Sequence, residues 1–205
     1  MLTKLKEKVQ KMLLAEAEAA HRIGLTPNMI SFIGIILAFL SAIAYMQWQT
    51  NTLYLFLATI LLLLSGFCDA LDGVIARTYQ EATPFGGFLD SLLDRYADAI
   101  VYAGIILGGL CDALWGLVAL VGSLLVSYCR ARAEAAGIKM ESIGLVERAE
   151  RIIILAITTI IAFIWQSQTQ NVMNLGIILL AILTNITVLQ RSWHVYKKLK
   201  PSVKN

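Results

Sequence analysis

Charge is what this 205-residue chain has least of: Asp, Glu, Lys and Arg make up 15% of it, against 58% hydrophobic residues. Soluble domains carry about a quarter charged residues, so an ordinary water-soluble fold is excluded and length is better read as a count of membrane spans. Cysteine is scarce too. Cys68, Cys111 and Cys129 are scattered, two of them within apolar runs, which gives no disulfide framework and no zinc-ligand spacing and leaves inert thiols. No small-residue cleavage site follows the first apolar run, so that run is expected to remain in the chain. The net charge of +3 decides little until its distribution is known, and no nucleic-acid partner is expected.

Apolar sequence, by contrast, is abundant. Six stretches run from Met29 to Met46, Leu53 to Asp72, Phe85 to Leu110, Leu114 to Arg132, Ile143 to Trp165 and Val172 to Val195. Each approaches or exceeds the ~20 residues that a helix needs to cross about 30 Å of hydrocarbon. The links between them are short and polar: QWQTNT, RTYQEATP, GGLCD, AEAAGIKME and QSQTQN. The expected fold is an all-α integral membrane protein, one domain over 1–205 with six transmembrane helices in 29–195.

Basic residues are missing from one side. With the N-terminus inside, Lys4, Lys6, Lys8, Lys11, Arg22, Arg77, Arg95, Arg130, Arg132, Lys139, Arg148, Arg151, Arg191, Lys197, Lys198, Lys200 and Lys204 all fall at or near inner ends. These are all 17 basic residues, so the outer links have none. The positive-inside rule then puts both termini in the cytoplasm of a cell-membrane protein. Residues 2–20 form a separate element: Leu2, Leu5, Val9, Met12 and Leu13 recur at helical spacing, with Lys4, Lys8 and Lys11 elsewhere on the circle. A basic amphipathic helix of this kind lies along the inner membrane face. In LTPN, Thr26 suits an N-cap and Pro27 a first helical turn.

Against this background the stretch from Cys68 to Asp98 stands out, because it holds Asp69, Asp72, Asp90, Asp94 and Asp98. An ionised carboxylate in a bilayer costs several kcal/mol, roughly, so such acids mark function. At ~100° per residue, Asp69, Asp72, Gly73 and Ala76 share one helical face. Gly86, Asp90 and Asp94 share another at i, i+4, i+8. A short link makes the two helices antiparallel neighbours, so four carboxylates are expected to face one another at the cytoplasmic boundary. They cannot all stay ionised without cations. Hard divalent ions with oxygen ligands answer this, Mg²⁺ or Mn²⁺ before zinc, because no His or Cys set is near. Four carboxylates suffice for two ions, and a metal pair about 4 Å apart is the usual clamp for displacement at phosphorus. Gly73, Ala76, Gly86 and Gly87 let a bulky ligand approach the backbone, and Arg77 on the rim suits phosphate oxygens. Asp98 lies a turn deeper, with Arg95 near, and is expected to be a structural partner rather than a ligand.

The segment DALDGVIARTYQEATPFGGFLDSLLD resembles the signature of the CDP-alcohol phosphotransferase family, D-x2-D-G-x2-A-R-x8-G-x3-D-x3-D. All eight fixed positions are filled, by Asp69, Asp72, Gly73, Ala76, Arg77, Gly86, Asp90 and Asp94. The resemblance extends to the six-helix layout and to LTPN. It implies that Asp69, Asp72, Asp90 and Asp94 hold two metal ions and that Asp94 also acts as base. It further implies a CDP-lipid held by Asn28, Asp69, Gly73, Ala76, Arg77 and Gly86, attack by an alcohol, departure of CMP, and a homodimer.

The acceptor must be read from the remaining inner-side residues. SYCRARAEAAG, GLVERAER and TVLQR place Arg130, Arg132, Arg148, Arg151 and Arg191 around one mouth, more positive charge than a neutral acceptor needs. Glu147 and Glu150 are candidates to pair with neighbouring arginines at helical spacing. The phrases resemble those of the family's prokaryotic inositol-phosphate-using members. That implies a phosphate held by Arg130, Arg148 and Arg191, with Arg132 and Arg151 supporting, and a CDP-archaeol or CDP-diacylglycerol donor. Glycerol 3-phosphate is the alternative acceptor. A divalent-metal transporter is the distant alternative, disfavoured because transport sites lie near the midplane at a repeat interface and no internal repeat is present.

Overall fold

The computed structural model describes residues 13–140 and 143–200, and among these every regular element is helical. Residues 13–22 form α1; then come α2 (Pro27–Met46), α3 (Leu53–Thr78), α4 (Pro84–Leu107), α5 (Ala113–Ala135), α6 (Arg148–Ile164) and α7 (Thr169–Leu199), with a short 3₁₀ turn, Gln166–Gln168, before α7. Residues 2–12 of the expected amphipathic helix, and Lys204, lie outside the described residues.

The helix ends follow local chemistry. Thr26 caps α2, its hydroxyl accepting from the Met29 amide, and Pro27 sits at the start. Thr83 and Pro84 repeat the device at α4, where the Gly86 amide donates to Thr83 Oγ1 at 2.9 Å. Helix α6 begins at Arg148, not near Ile143 as expected. There the Glu147 amide donates to Glu150 Oε2 at 3.0 Å within a capping box, which takes Glu150 away from the arginine pairing proposed for it.

By length and composition, four helices among the described residues can cross a membrane: α2, α3, α5 and the stretch Gln166–Leu199. Helix α4 is long enough but carries Asp90, Asp94, Arg95 and Asp98, and α6 has 17 residues, a rise of about 26 Å.

The helix pairings close into a ring. Going round it, α2 packs on α3, α3 on α6, α6 on α7, α7 on α5, α5 on α4, and α4 back on α2. Thus α2 stands between α3 and α4, and those two are not packed along their lengths, contrary to the antiparallel pair expected from the short link. Small polar residues let the helices close. Ser41 Oγ donates to Ala58 O and Ser65 Oγ to Gly34 O, both at 2.8 Å, tying α2 to α3. Tyr45, Leu55, Ile105, Met173, Ile177 and Leu180 fill the core at full burial, and Tyr45 Oη meets Thr159 Oγ1 at 2.9 Å. Phe39, Phe56, Leu117, Ile157 and Leu175 point outward, an apolar surface suited to lipid tails.

At the bundle end opposite the acids, Trp48 Nε1 donates to Gly108 O at 2.7 Å and Gln170 Nε2 to Gly109 O at 3.1 Å, joining the α2–α3 link, the α4–α5 link and the start of α7. At the acidic end, α1 buries Leu13, Ala17 and Ala20 against Ile30, Cys68, Leu71 and Ile75. Its last turn is clamped to the α3–α4 link, where His21 stacks on Tyr79 at 3.7 Å and hydrogen-bonds Glu81.

Candidate active site

The five aspartates divide into three groups according to what each touches. Asp69 and Asp72 come from α3 and Asp90 from α4; their oxygens converge to within 4.8 Å of one another, a spacing that a single cation can span. Asp94 lines the same pocket as these three and also pairs with the α6 arginine Arg148, its Oδ1 2.6 Å from Nη1. The same Nη1 lies 2.9 Å from Asp69 Oδ2, so Arg148 bridges α3 and α4. Asp98 stands deeper and accepts from Arg148 Nε at 3.3 Å and Arg151 Nη2 at 2.6 Å. Arg95, the partner expected for Asp98, instead donates to Ser91 O and lies 3.6 Å from Asp94. The reason is helical geometry: Arg95 turns back along α4 to Ser91 O, while Arg148 and Arg151, one turn apart on α6, both reach Asp98.

Asp72 is the most enclosed acid, 5% exposed, and it has a partner that sequence reasoning missed. Ser31 on α2 places its Oγ 2.5 Å from Asp72 Oδ2 and also 3.1 Å from Pro27 O. A serine in an apolar helix ordinarily reads as a packing residue, so nothing in the one-dimensional pattern singles it out. Here it fixes one carboxylate oxygen and leaves the other for the cluster.

The charges decide whether this set fits a metal. Asp69, Asp94 and Asp98 pair with Arg148 and Arg151, and Arg95 lies 3.6 Å from Asp94, so the five carboxylates still outnumber the cations beside them; the three most closely grouped acids are Asp69, Asp72 and Asp90. An all-oxygen, trianionic group of this kind fits a hard divalent cation.

The positions expected to bind the nucleotide lie beside the cluster. Asn28 Oδ1 is 3.2 Å from where a Cβ on Gly86 would stand, and Thr83 Oγ1 is 3.0 Å from it, so a side chain there would crowd both. Arg77 folds back over Gly73, its Nη1 3.1 Å from that residue's absent Cβ. Ala76, partly buried, completes the face.

The arginines do not form one open mouth. Arg130 is exposed and pairs with Glu134 at 2.9 Å, and Arg132 is exposed near the end of α5. Arg151 is 4% exposed and held by Asp98. Arg191 is 2% exposed; Nε donates to Ile143 O at 2.8 Å and Nη1 to Val126 O at 2.6 Å, with Glu147 3.6 Å from Nη2. Glu147 therefore faces α7 rather than its own helix's arginines. Thr187, a turn earlier on α7, accepts from the Leu145 and Val146 amides at 3.2 Å each. Together with Gly144, whose φ of 123° favours glycine, these contacts set the chain's course into α6 and hence the position of Arg148.

Residues 24–189 match the family model described as CDP-alcohol phosphatidyltransferase. The archaetidylinositol phosphate synthase of Pyrococcus horikoshii is 39% identical over 201 residues, covering 98% of this chain and 99% of that one. The phosphatidylinositol phosphate synthase of Mycobacteroides abscessus is 32% identical, covering 85% and 79%. The Mycobacterium tuberculosis phosphatidylinositol phosphate synthase crystallised with CDP-DAG bound superimposes with a TM-score of 0.78 at 27% identity, over 95% of this chain and 98% of that one. Its complex with manganese and citrate gives 0.77 at 27% identity, over 94% and 92%.

Proposed function

We infer the reaction from one premise: the chain belongs to the CDP-alcohol phosphatidyltransferase family. It is a membrane enzyme of phospholipid biosynthesis that transfers the phospholipid moiety of a CDP-lipid to inositol phosphate and releases CMP. The observation that carries the reading is the convergence of Asp69, Asp72 and Asp90 beside an arginine that also reaches Asp94.

In this reading Asp69, Asp72, Asp90 and Asp94 hold two divalent ions, Mg²⁺ or Mn²⁺. Such ions, when bound, supply charge stabilisation at the diphosphate and at the departing CMP. Asn28, Asp69, Gly73, Ala76, Arg77 and Gly86 hold the nucleotide end of a CDP-archaeol or CDP-diacylglycerol, with Gly73 and Gly86 leaving room for Arg77 and Asn28 to lie against the backbone. Asp94 accepts the proton of the attacking inositol hydroxyl. The hydroxyl oxygen forms a bond to the lipid-linked phosphorus as the bond to CMP breaks, and CMP leaves with the electron pair. Arg130, Arg148 and Arg191 hold the acceptor's phosphate, while Arg132 and Arg151 add positive potential. For Arg191 the contact falls to Nη2, since Nε and Nη1 are committed to carbonyls. Holding the sugar in this way is what favours its hydroxyl over water.

The confinement of basic residues to one set of ends supports six spans, with α4 and α6 completing the bundle, and an active site on the cytoplasmic side. The family resemblance supports a homodimer. Purified protein supplied with CDP-lipid and inositol phosphate, glycerol 3-phosphate, inositol or serine tests the assignment through CMP release. CMP is expected with inositol phosphate alone and is lost on chelation. Turnover with glycerol 3-phosphate but not inositol phosphate overturns the acceptor.

A further inference from the structure

Asp98 lies outside the eight-residue signature, yet it holds two of the arginines at the site. Its side chain, 11% exposed, gives one oxygen to each: Oδ1 lies 3.3 Å from Arg148 Nε and Oδ2 lies 2.6 Å from Arg151 Nη2. Arg151 is buried and offset by one turn of α6, so it fixes the carboxylate, and the carboxylate in turn fixes the Nε edge of Arg148. That leaves Nη1 in ion-pair contact with Asp69 and Asp94, at 2.9 and 2.6 Å.

The physical consequence concerns a cation beside an excess of acids. Without an anchor on its Nε edge, the guanidinium would be drawn toward the centre of the Asp69, Asp72 and Asp90 group, where Coulomb attraction is greatest. Asp98, two turns beyond Asp90 on α4, offsets that pull through the Nε edge. We propose that Asp98 is a positioning residue for the acceptor: through Arg151 it holds Arg148 at the boundary between the aspartate cluster and the inositol-phosphate pocket. This rests on the reading of the reaction given above. Asp98 itself touches neither substrate.

Steady-state kinetics of the purified full chain test the idea. Asp98→Asn should raise KM for inositol phosphate about tenfold, as expected when one charge-assisted bond that orients a ligand group is weakened, and leave KM for CDP-lipid within about twofold. Asp98→Glu, which keeps the charge but displaces it, should give a smaller rise at near-wild-type thermal stability. In an Arg148→Gln background, Asp98→Asn should add no further increase, because both changes act through the same guanidinium. A fall in kcat or stability with both KM values unchanged would mean a structural role only. An Asp98 effect that persists undiminished in the Arg148→Gln background would equally overturn the proposal. Should wild-type protein fail to use inositol phosphate, the acceptor assignment falls first, and that result is separate from any comparison among variants.

Discussion

Arg191 offers the sharpest test, because its burial predicts a loss that a solvent-facing phosphate ligand would not show. The guanidinium is 2% exposed and ties α7 to α5 through Val126 O and to the segment before α6 through Ile143 O. Replacing it with alanine removes two charge-assisted hydrogen bonds. At ~1.5 kcal/mol each, the low end for charged donors, the loss is about 3 kcal/mol. For a chain of this length, each kcal/mol moves Tm by ~2–4 °C, so thermal unfolding in detergent should begin roughly 6–12 °C lower. The same substitution frees the segment that sets Arg148, so KM for inositol phosphate should rise about tenfold or more, with CDP-lipid affinity nearly unchanged. Arg191→Lys, which can reach one carbonyl but not both, should fall between wild type and alanine. Tm would be followed by tryptophan fluorescence and KM by CMP release. An alanine variant within about 2 °C of wild type would refute the carbonyl clamp, whatever its kinetics.

Other expectations follow from the acids and their partners. Asp69→Asn or Asp90→Asn should abolish turnover while the protein still elutes as a folded species; near-normal CMP production at saturating Mg²⁺ would remove the cluster from the mechanism. Asp94→Asn should slow the chemical step by about 100-fold or more with little change in CDP-lipid binding, and parallel losses in both would defeat its assignment as base. Ser31→Ala frees one oxygen of Asp72 and should weaken Mn²⁺ binding about 10- to 100-fold, read by electron paramagnetic resonance on the purified protein without substrate. Unchanged Mn²⁺ affinity would show that Ser31 serves only helix packing.

Much of this molecule is legible along the chain, for identifiable reasons. Apolar runs near the length of a bilayer crossing give the long helices, and Thr26–Pro27 and Thr83–Pro84 mark two of their starts by local hydrogen bonding. The aspartates announce themselves because charge is costly in apolar surroundings. Helical periodicity then places Asp69 with Asp72, and Asp90 with Asp94, on common faces.

What periodicity cannot convey is which face meets which helix. That was decided by the ring of pairings, which sets α2 between α3 and α4 and brings α6 across to the acids. Hence Ser31 reaches Asp72, Arg148 pairs with Asp94, and Arg148 and Arg151 take the place beside Asp98 expected for Arg95. The arginines show the same division. Their number and their clustering at one set of helix ends are legible in the sequence, since the pattern of basic residues needs no tertiary contact to be counted. Whether each became an exposed cation, as Arg130 did, or a buried clamp, as Arg191 did, depended on carbonyls and carboxylates contributed by helices distant in sequence. Burial and pairing are properties of the packed bundle, and only packing could assign them.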